Sequence, residues 1–219
     1  MDDRVLALCE LKNDLLFHKI PKEELSAYVD GSLAAGREAA ARFAGRDVED
    51  LYREHGIGLR YADSGKRSYG VMLRGQVTMG ARECGVEVYR ESIEELSRNS
   101  AWEGRSLAYD EALRVHLAHE FFHFWEYKNG ASISQRMGDV VTFSLLGLRR
   151  TAKINRCEEV AAHAFAKELL GLPCLPNLYD YLYLINTGRM TRAAFDGLVS
   201  EMAILLKQSG ISEIKEDAT

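Results

Sequence analysis

The segment VHLAHEFFHFWEY, residues 115–127, places two histidines and a glutamate inside an almost wholly apolar run. Unpaired ionisable groups in an apolar environment cost several kcal/mol, so a buried helix avoids them unless a specific partner satisfies them. On an α-helix, residues four apart share one face and lie about 6 Å apart along the axis. The imidazoles of His119 and His123 can therefore converge on one metal ion at about 2.1 Å. The segment predicts a helix that carries part of a metal site.

Two further polar residues lie on the same predicted helix. Glu120 follows His119 by about 100° around the axis, close enough to reach a water on the metal without being a ligand. His116 precedes His119 by one turn, and we predict an outer-shell or structural role for it. The HExxH spacing arises by chance in roughly one or two per cent of such chains. The predicted helix, the apolar flanks and an acidic residue downstream make a chance match less plausible.

A catalytic zinc ion usually takes three protein ligands and keeps a fourth position open, so a third donor is expected elsewhere. The segment NRCEEVAAHAFAKELL, residues 155–170, supplies candidates on the next predicted helix. Glu159 and His163 are four residues apart and share a face. We predict Glu159 as the metal ligand and His163 as an outer hydrogen-bond partner that orients a ligand. Glu158 is the competing ligand, but its spacing from Asn155 fits a capping box.

Composition excludes several classes of protein. The chain has 219 residues and a formal net charge of -5, which argues against a nucleic-acid binder because such proteins need a surplus of Lys and Arg. The first residues lack the pattern of a signal peptide, and no stretch approaches the roughly 18 apolar residues of a membrane span. Four cysteines without CxxC pairing are expected to be reduced thiols. We expect a cytoplasmic protein with neither nucleic acid nor a membrane as partner.

The hydrophobic pattern predicts an α+β fold that is mostly helical with a small antiparallel sheet. Residues 1–45 have helical periodicity, and a short helix follows with Asp47 as N-cap and Gly56 after its end. The period then changes to two through the segments IGLRYAD, YGVMLRGQVTM and GVEVYRE. One further helix is expected to begin at a Ser92–Glu95 capping box, and another to cover residues 109–127. A helix is expected from about Asn155 to the GLP segment. Two more are expected in the C-terminal part, the second capped by Thr191. We predict one compact domain, with an N-terminal helical region over 1–45 and the remainder over 46–219.

The segments HEFFH and EEVAAHAFAKELLGLP together resemble the ImmA/IrrE metallopeptidases, which are zincin-type enzymes with HExxH followed by a glutamate before an EAN-x-FA-x-x-LL-x-P pattern. The resemblance covers about residues 46–173. It implies a zincin-like fold, one zinc ion held by His119, His123 and Glu159, and Glu120 as general base. It also implies a peptide or protein substrate.

The chain departs from the family pattern at two positions. Phe122 stands where the family often has glycine, which suggests a narrower or altered cleft. His163 stands where the family has asparagine, which leaves open a different ligand set such as three histidines. The helix-turn-helix that often accompanies the family is not apparent, so the role of a repressor-cleaving regulator does not transfer.

The resemblance implies metal-assisted hydrolysis, in which Glu120 accepts a proton from the attacking water and passes it to the leaving amine. The group that stabilises the oxyanion stays open among five side chains: Tyr109, Arg149, Tyr179, Tyr181 and Tyr183. The strand GVEVYRE is the candidate for backbone pairing with substrate. The leading prediction is a zinc-dependent peptidase. The alternatives are a non-catalytic metal-binding scaffold, closed by a fourth ligand such as His163 and acting through a protein partner, and a metal-free interaction module with a chance motif.

Overall fold

A computed structural model describes residues 1–64, 67–68, 71–80, 84–102, 104–130 and 132–216. Its helices are α1 (Asp3–Leu11), α2 (Leu25–Ala41), α3 (Val48–Glu54), α4 (Arg90–Asn99), α5 (Tyr109–Asn129), α6 (Ile133–Arg136), α7 (Arg156–Leu170), α8 (Asn177–Asn186) and α9 (Arg192–Glu216). Its strands are β1 (Gly58–Ala62), β2 (Arg67–Ser68), β3 (Val71–Met72), β4 (Gly75–Met79), β5 (Cys84–Tyr89), β6 (Val140–Leu145) and β7 (Leu148–Ala152). The α+β class is confirmed. No helix in these ranges has both the length and the apolar content needed to cross a membrane.

Local capping chemistry sets several helix ends where the sequence predicts them. The Asp47 carboxylate accepts a hydrogen bond from the Glu49 backbone N–H at 2.9 Å, and this bond caps α3. Thr191 caps α9 in the same way, because its hydroxyl accepts from the Ala194 N–H at 3.1 Å. Helices α5 and α7 end at Gly130 and Gly171, whose φ angles of 61° and 64° suit glycine. The predicted boundaries of the two helices that carry the site are confirmed.

Both predicted capping boxes are wrong. Helix α4 begins at Arg90, so Ser92 lies inside the helix, where its hydroxyl donates to the Leu73 carbonyl at 2.7 Å. Asn155 makes no side-chain capping bond to α7. The Glu158 carboxylate instead accepts a hydrogen bond from the Ser132 hydroxyl at 2.5 Å. In each case a tertiary contact takes the side chain away from the local bond that the spacing favours.

The three-stranded sheet has the order β1-β5-β4 and is mixed rather than antiparallel. Strand β5 pairs with β4 in the antiparallel sense and with β1 in the parallel sense. Strand β5 holds Val86, Val88 and Tyr89, each at most 2% exposed, so burial favours the central position for it. A second, two-stranded sheet is the hairpin β6–β7, which the sequence analysis did not predict.

Helix α7 lies at the centre of the helical packing, against both α2 and α5. Small residues allow this close approach, because a Cβ added at Gly36 on α2 would lie 2.2 Å from the Ala161 carbonyl oxygen. The N-terminal helices contact the same element: Arg156 at the start of α7 pairs with Glu10 of α1 at 2.9 Å, and Lys167 pairs with Asp3. The N-terminal region thereby fixes the helix that carries Glu159.

Candidate metal centre

Three predicted metal ligands converge between α5 and α7. The Nε2 atom of His119 lies 3.2 Å from Glu159 Oε2, and His123 Nε2 lies 3.7 Å from Glu159 Oε1. The two imidazole Nε2 atoms are 3.1 Å apart. Among the described His, Cys, Asp and Glu residues, these three are the group whose donor atoms can meet on one ion. The spacing within α5 aligns the histidines, and the packing of α7 on α5 brings the glutamate to them.

These separations match the size of a zinc ion. Ligands about 2.1 Å from a tetrahedral ion lie roughly 3.4 Å from one another. The observed donor separations of 3.1, 3.2 and 3.7 Å bracket that value. Two imidazole nitrogens and one carboxylate oxygen are also a common donor set for catalytic zinc. The residues present therefore fit a bound divalent cation.

The electrostatics of the three donors favour a positive charge between them. Burial opposes ionisation of Glu159, but its hydrogen bond to His119 and the charges of the neighbouring histidines hold its pKa well below the usual range. Burial likewise opposes protonation of His119, and the Glu159 carboxylate outweighs it and raises the pKa of His119 to about 9. Burial and the charge of His119 lower the pKa of His123 to about 4. The carboxylate and the two imidazoles thus favour a positive charge between them, which a bound cation would supply.

Glu120 lies beside the donors without joining them. Burial raises the pKa of its carboxyl above the usual value, although the charge of His119 acts in the opposite direction. Its Oε1 atom is 3.6 Å from His116 Nδ1. A carboxylate whose pKa moves towards neutrality suits proton transfer near pH 7.

His116 is enclosed between α5 and β4. Its Nε2 atom is buried without a hydrogen-bond partner among the described residues, and burial lowers the pKa of the ring to about 3. A Cβ added at Gly75 would lie 2.5 Å from that Nε2 atom. His116 therefore contacts Glu120 on one side and the strand on the other.

His163 lies one turn after Glu159 on α7, as predicted. Its ring centroid is 4.7 Å from the ring centroid of His119, so it packs on the face of a predicted ligand. Its Nδ1 atom is buried and has no hydrogen-bond partner in the part of the chain that the structure describes. The contact is thus a ring contact, and His163 is not a member of the converging donor group.

Two clefts meet at the three donors. The first has a volume of about 390 Å³ and is lined by His116, His119 and Glu159 together with Arg74 and Tyr179. The second has a volume of about 490 Å³ and is lined by His123, Glu126, Glu158 and Glu159. Glu120 lines both clefts. A bound chain that passes from one cleft to the other would cross the metal position.

Strand β4 runs beside both clefts, since Gly75 lines the first while Val77 and Met79 line the second. The prediction that GVEVYRE pairs with substrate is wrong, because β5 already has partners on both sides. Strand β4 pairs with β5 along one edge, and no other described strand pairs with its second edge. Among the described strands, the second edge of β4 is therefore open to backbone pairing.

The five candidates for the group that stabilises the oxyanion differ in their location and in their hydrogen-bond partners. Tyr179 lines the first cleft. Tyr181 and Tyr183 have other partners, because their hydroxyls donate to the Cys9 carbonyl at 3.4 Å and to the Glu95 carboxylate at 2.9 Å. Tyr109 begins α5, and Arg149 lies in the β6–β7 hairpin.

Arg74 was missed by the sequence analysis. It lines the first cleft and pairs with Asp180. No spacing rule links an arginine before β4 with an aspartate on α8, so only the tertiary fold shows the pair.

Comparison of the chain with protein-family models, curated proteins and solved structures finds no match.

Proposed function

We propose that this protein is a zinc-dependent peptidase with a zincin-like arrangement of helices and sheet. The observation that carries the proposal is the convergence of His119, His123 and Glu159 at donor separations of 3.1 to 3.7 Å. Glu120 lies beside them, at the junction of two clefts. Three donors leave a fourth position for solvent, which favours a catalytic site over a closed structural one.

The chain supplies the proton chemistry through Glu120. When bound, a zinc ion supplies a Lewis acid for the scissile carbonyl and lowers the pKa of water. A carboxylate oxygen of Glu120 accepts the proton of the attacking water and later donates it to the leaving amine. The burial that raises the pKa of Glu120 narrows the gap between its pKa and neutral pH. The His116 ring packs beside this carboxylate, with Nδ1 3.6 Å from Oε1.

The substrate in this proposal is an extended peptide that pairs with the free edge of β4. Backbone pairing aligns the chain across both clefts, and side chains at alternate positions enter them. Strand β4 lies close to the helix of the predicted ligands, since a Cβ added at Gly75 would lie 2.5 Å from His116 Nε2.

The test compares Glu120→Gln with Glu158→Gln in the full chain. We measure bound metal by mass spectrometry after purification without added metal, and cleavage with a mixed peptide library. Glu120→Gln is expected to retain the metal and to lose activity by a factor of 10²–10⁴, the usual contribution of a general base. Glu158→Gln is expected to keep the metal and to change cleavage much less than Glu120→Gln does, because its amide oxygen still accepts from Ser132.

Two results contradict the proposal. Protein that purifies without stoichiometric metal and does not take up zinc has no metal centre. If the protein binds metal but peptide cleavage is the same in wild type and in Glu120→Gln, the protein is a metal-binding scaffold, which is the principal alternative.

A further inference from the structure

The β6–β7 hairpin has an apolar tip that the fold does not bury. Its side chains Phe143, Leu145, Leu146 and Leu148 are 45%, 57%, 99% and 57% exposed. These four are within six consecutive residues, whereas the other exposed large apolar side chains of the described chain are scattered. Single exposed apolar residues are common on proteins, but a contiguous group marks an interaction site.

The turn conformation at the tip disfavours leucine. Leu146 and Gly147 have φ angles of 48° and 82°, which is the two-residue hairpin turn that favours Asn-Gly. Leu146 is the only described residue other than glycine with positive φ. Both the backbone and the solvent would favour asparagine here. A leucine held in this conformation and fully exposed indicates a contact made outside the chain.

Cations lie directly behind the apolar tip. In the strand register, Leu145 pairs with Leu148, Ser144 with Arg149, and Phe143 with Arg150. Arg149 and Arg150 point to opposite faces of the hairpin, since successive strand residues alternate. Neither guanidinium forms an ion pair with a described residue. Residues 140–153 also include Lys153 and contain no acidic residue.

We propose that this hairpin binds the surface of bilayers that contain anionic lipid. The leucines enter the boundary between headgroups and acyl chains, while Arg149 and Arg150 bind lipid phosphates. Arg149 and Arg150 follow Leu148 by one and two residues, and a strand rises about 3.4 Å per residue. An interfacial apolar element inserts by about 5–10 Å. The arginines would therefore lie at the depth of the headgroups. The positive charge favours an anionic surface over an uncharged apolar partner. An interfacial hairpin needs no membrane-spanning helix, so the proposal replaces the expectation from the sequence, which considered spanning segments, that no membrane is a partner.

The test is co-sedimentation of the full chain with vesicles of phosphatidylcholine, alone or mixed with the anionic lipid phosphatidylserine. Wild-type protein is expected to bind the anionic vesicles. The variant Leu146→Asn/Leu148→Thr is expected to bind on the order of tenfold less, and its Asn-Gly turn favours the hairpin. Arg149→Gln/Arg150→Gln is expected to lose the preference for anionic vesicles. Circular dichroism and bound metal check that each variant is folded.

The matched control is Ile204→Thr, which removes an exposed apolar side chain, 56% exposed, from α9. It is expected to bind vesicles like wild type. The proposal is overturned if wild-type protein does not bind anionic vesicles, or if Leu146→Asn/Leu148→Thr binds as well as wild type. Light scattering without vesicles gives a further test. If wild-type protein self-associates and Leu146→Asn/Leu148→Thr does not, the proposal is also overturned, because the tip then binds a second copy of the chain. None of these readouts depends on peptidase activity.

Discussion

Glu158 and Glu159 are adjacent in the chain but have different partners, on neighbouring faces of α7. The Glu159 carboxylate lies 3.2 Å from His119 Nε2, whereas the Glu158 carboxylate accepts a hydrogen bond from the Ser132 hydroxyl. One residue of helix rotates a side chain by about 100°. Two neighbouring carboxylates of the same chemistry thus offer a matched pair for testing the metal centre.

Glu159→Gln is expected to weaken zinc binding much more than Glu158→Gln. Loss of an outer partner of a metal site costs roughly 10- to 100-fold in affinity, and loss of a charged ligand is expected to exceed that range. Competition with a chromogenic chelator at fixed pH measures the zinc affinity of both variants. Equal affinities for the two variants would show that Glu159 does not bind the metal.

The packing of α2 on α7 gives a prediction about stability. A Cβ at Gly36 would lie 2.2 Å from the Ala161 carbonyl oxygen and 2.8 Å from the Ala164 Cβ. Gly36→Ala therefore forces α2 away from the helix that carries Glu159, and we expect a loss of about 1–3 kcal/mol in the free energy of unfolding. Urea denaturation measures it.

Gly197→Ala is the control for that variant. Gly197 is also in a helix, α9, but a Cβ there meets no atom within 4 Å. Alanine has the higher helix propensity, so we expect Gly197→Ala to be neutral or to stabilise the protein by up to about 1 kcal/mol. If Gly36→Ala is equally harmless, the two helices are not packed as closely as described.

Short-range patterns explain why much of the site was predictable. His119, Glu120 and His123 lie on one helix, so a spacing of one to four residues determines their relative positions. The same rule placed Glu159 and His163 on one face of α7. The convergence of His119, His123 and Glu159 in the structure supports the ligand set that the sequence indicated.

Long-range pairing explains what the sequence did not predict. The order β1-β5-β4 depends on which strand is most deeply buried, and alternation of apolar residues gives no pairing partner. The β6–β7 hairpin was missed because its outward face is apolar, which obscures the alternation typical of a surface strand. Arg74 and the contact of Gly75 with His116 depend on the placement of β4 against α5.

The placement of β4 against α5 predicts a variant with altered activity and unaltered metal content. A Cβ at Gly75 would lie 2.5 Å from His116 Nε2 and 2.7 Å from the Glu87 carbonyl oxygen. Gly75→Ala is expected to displace His116 from Glu120 and to lower kcat for peptide cleavage on the order of tenfold, the effect of a small misplacement. Gly58→Ala in β1 is the control, because its Cβ would lie 3.6 Å from the nearest atom. An unchanged kcat in Gly75→Ala would show that the position of His116 does not affect cleavage.

The wall of the second cleft contains a carboxyl group whose ionisation opposes folding. Glu126 is 6% exposed, and one of its oxygens accepts the Ile133 backbone N–H at 2.6 Å. Burial is the main cause that raises the pKa of Glu126 from 4.5 to about 7, and the charges of Glu158 and Glu159 add to it. The folded state therefore binds this proton more tightly than the unfolded chain. The contribution to stability is complete below pH 4.5 and is lost as the pH rises through 7.

Glu126→Gln removes this dependence on pH, because the amide oxygen still accepts from Ile133 and the side chain does not ionise. We expect the variant to gain stability relative to wild type between pH 5 and pH 8. One unit of pKa corresponds to about 1.4 kcal/mol, so the relative gain is expected to be on the order of 2 kcal/mol. Urea denaturation with a chelator present measures it without the charge of a bound cation. A difference between the two proteins that is the same at both pH values would mean that Glu126 ionises normally in the folded state.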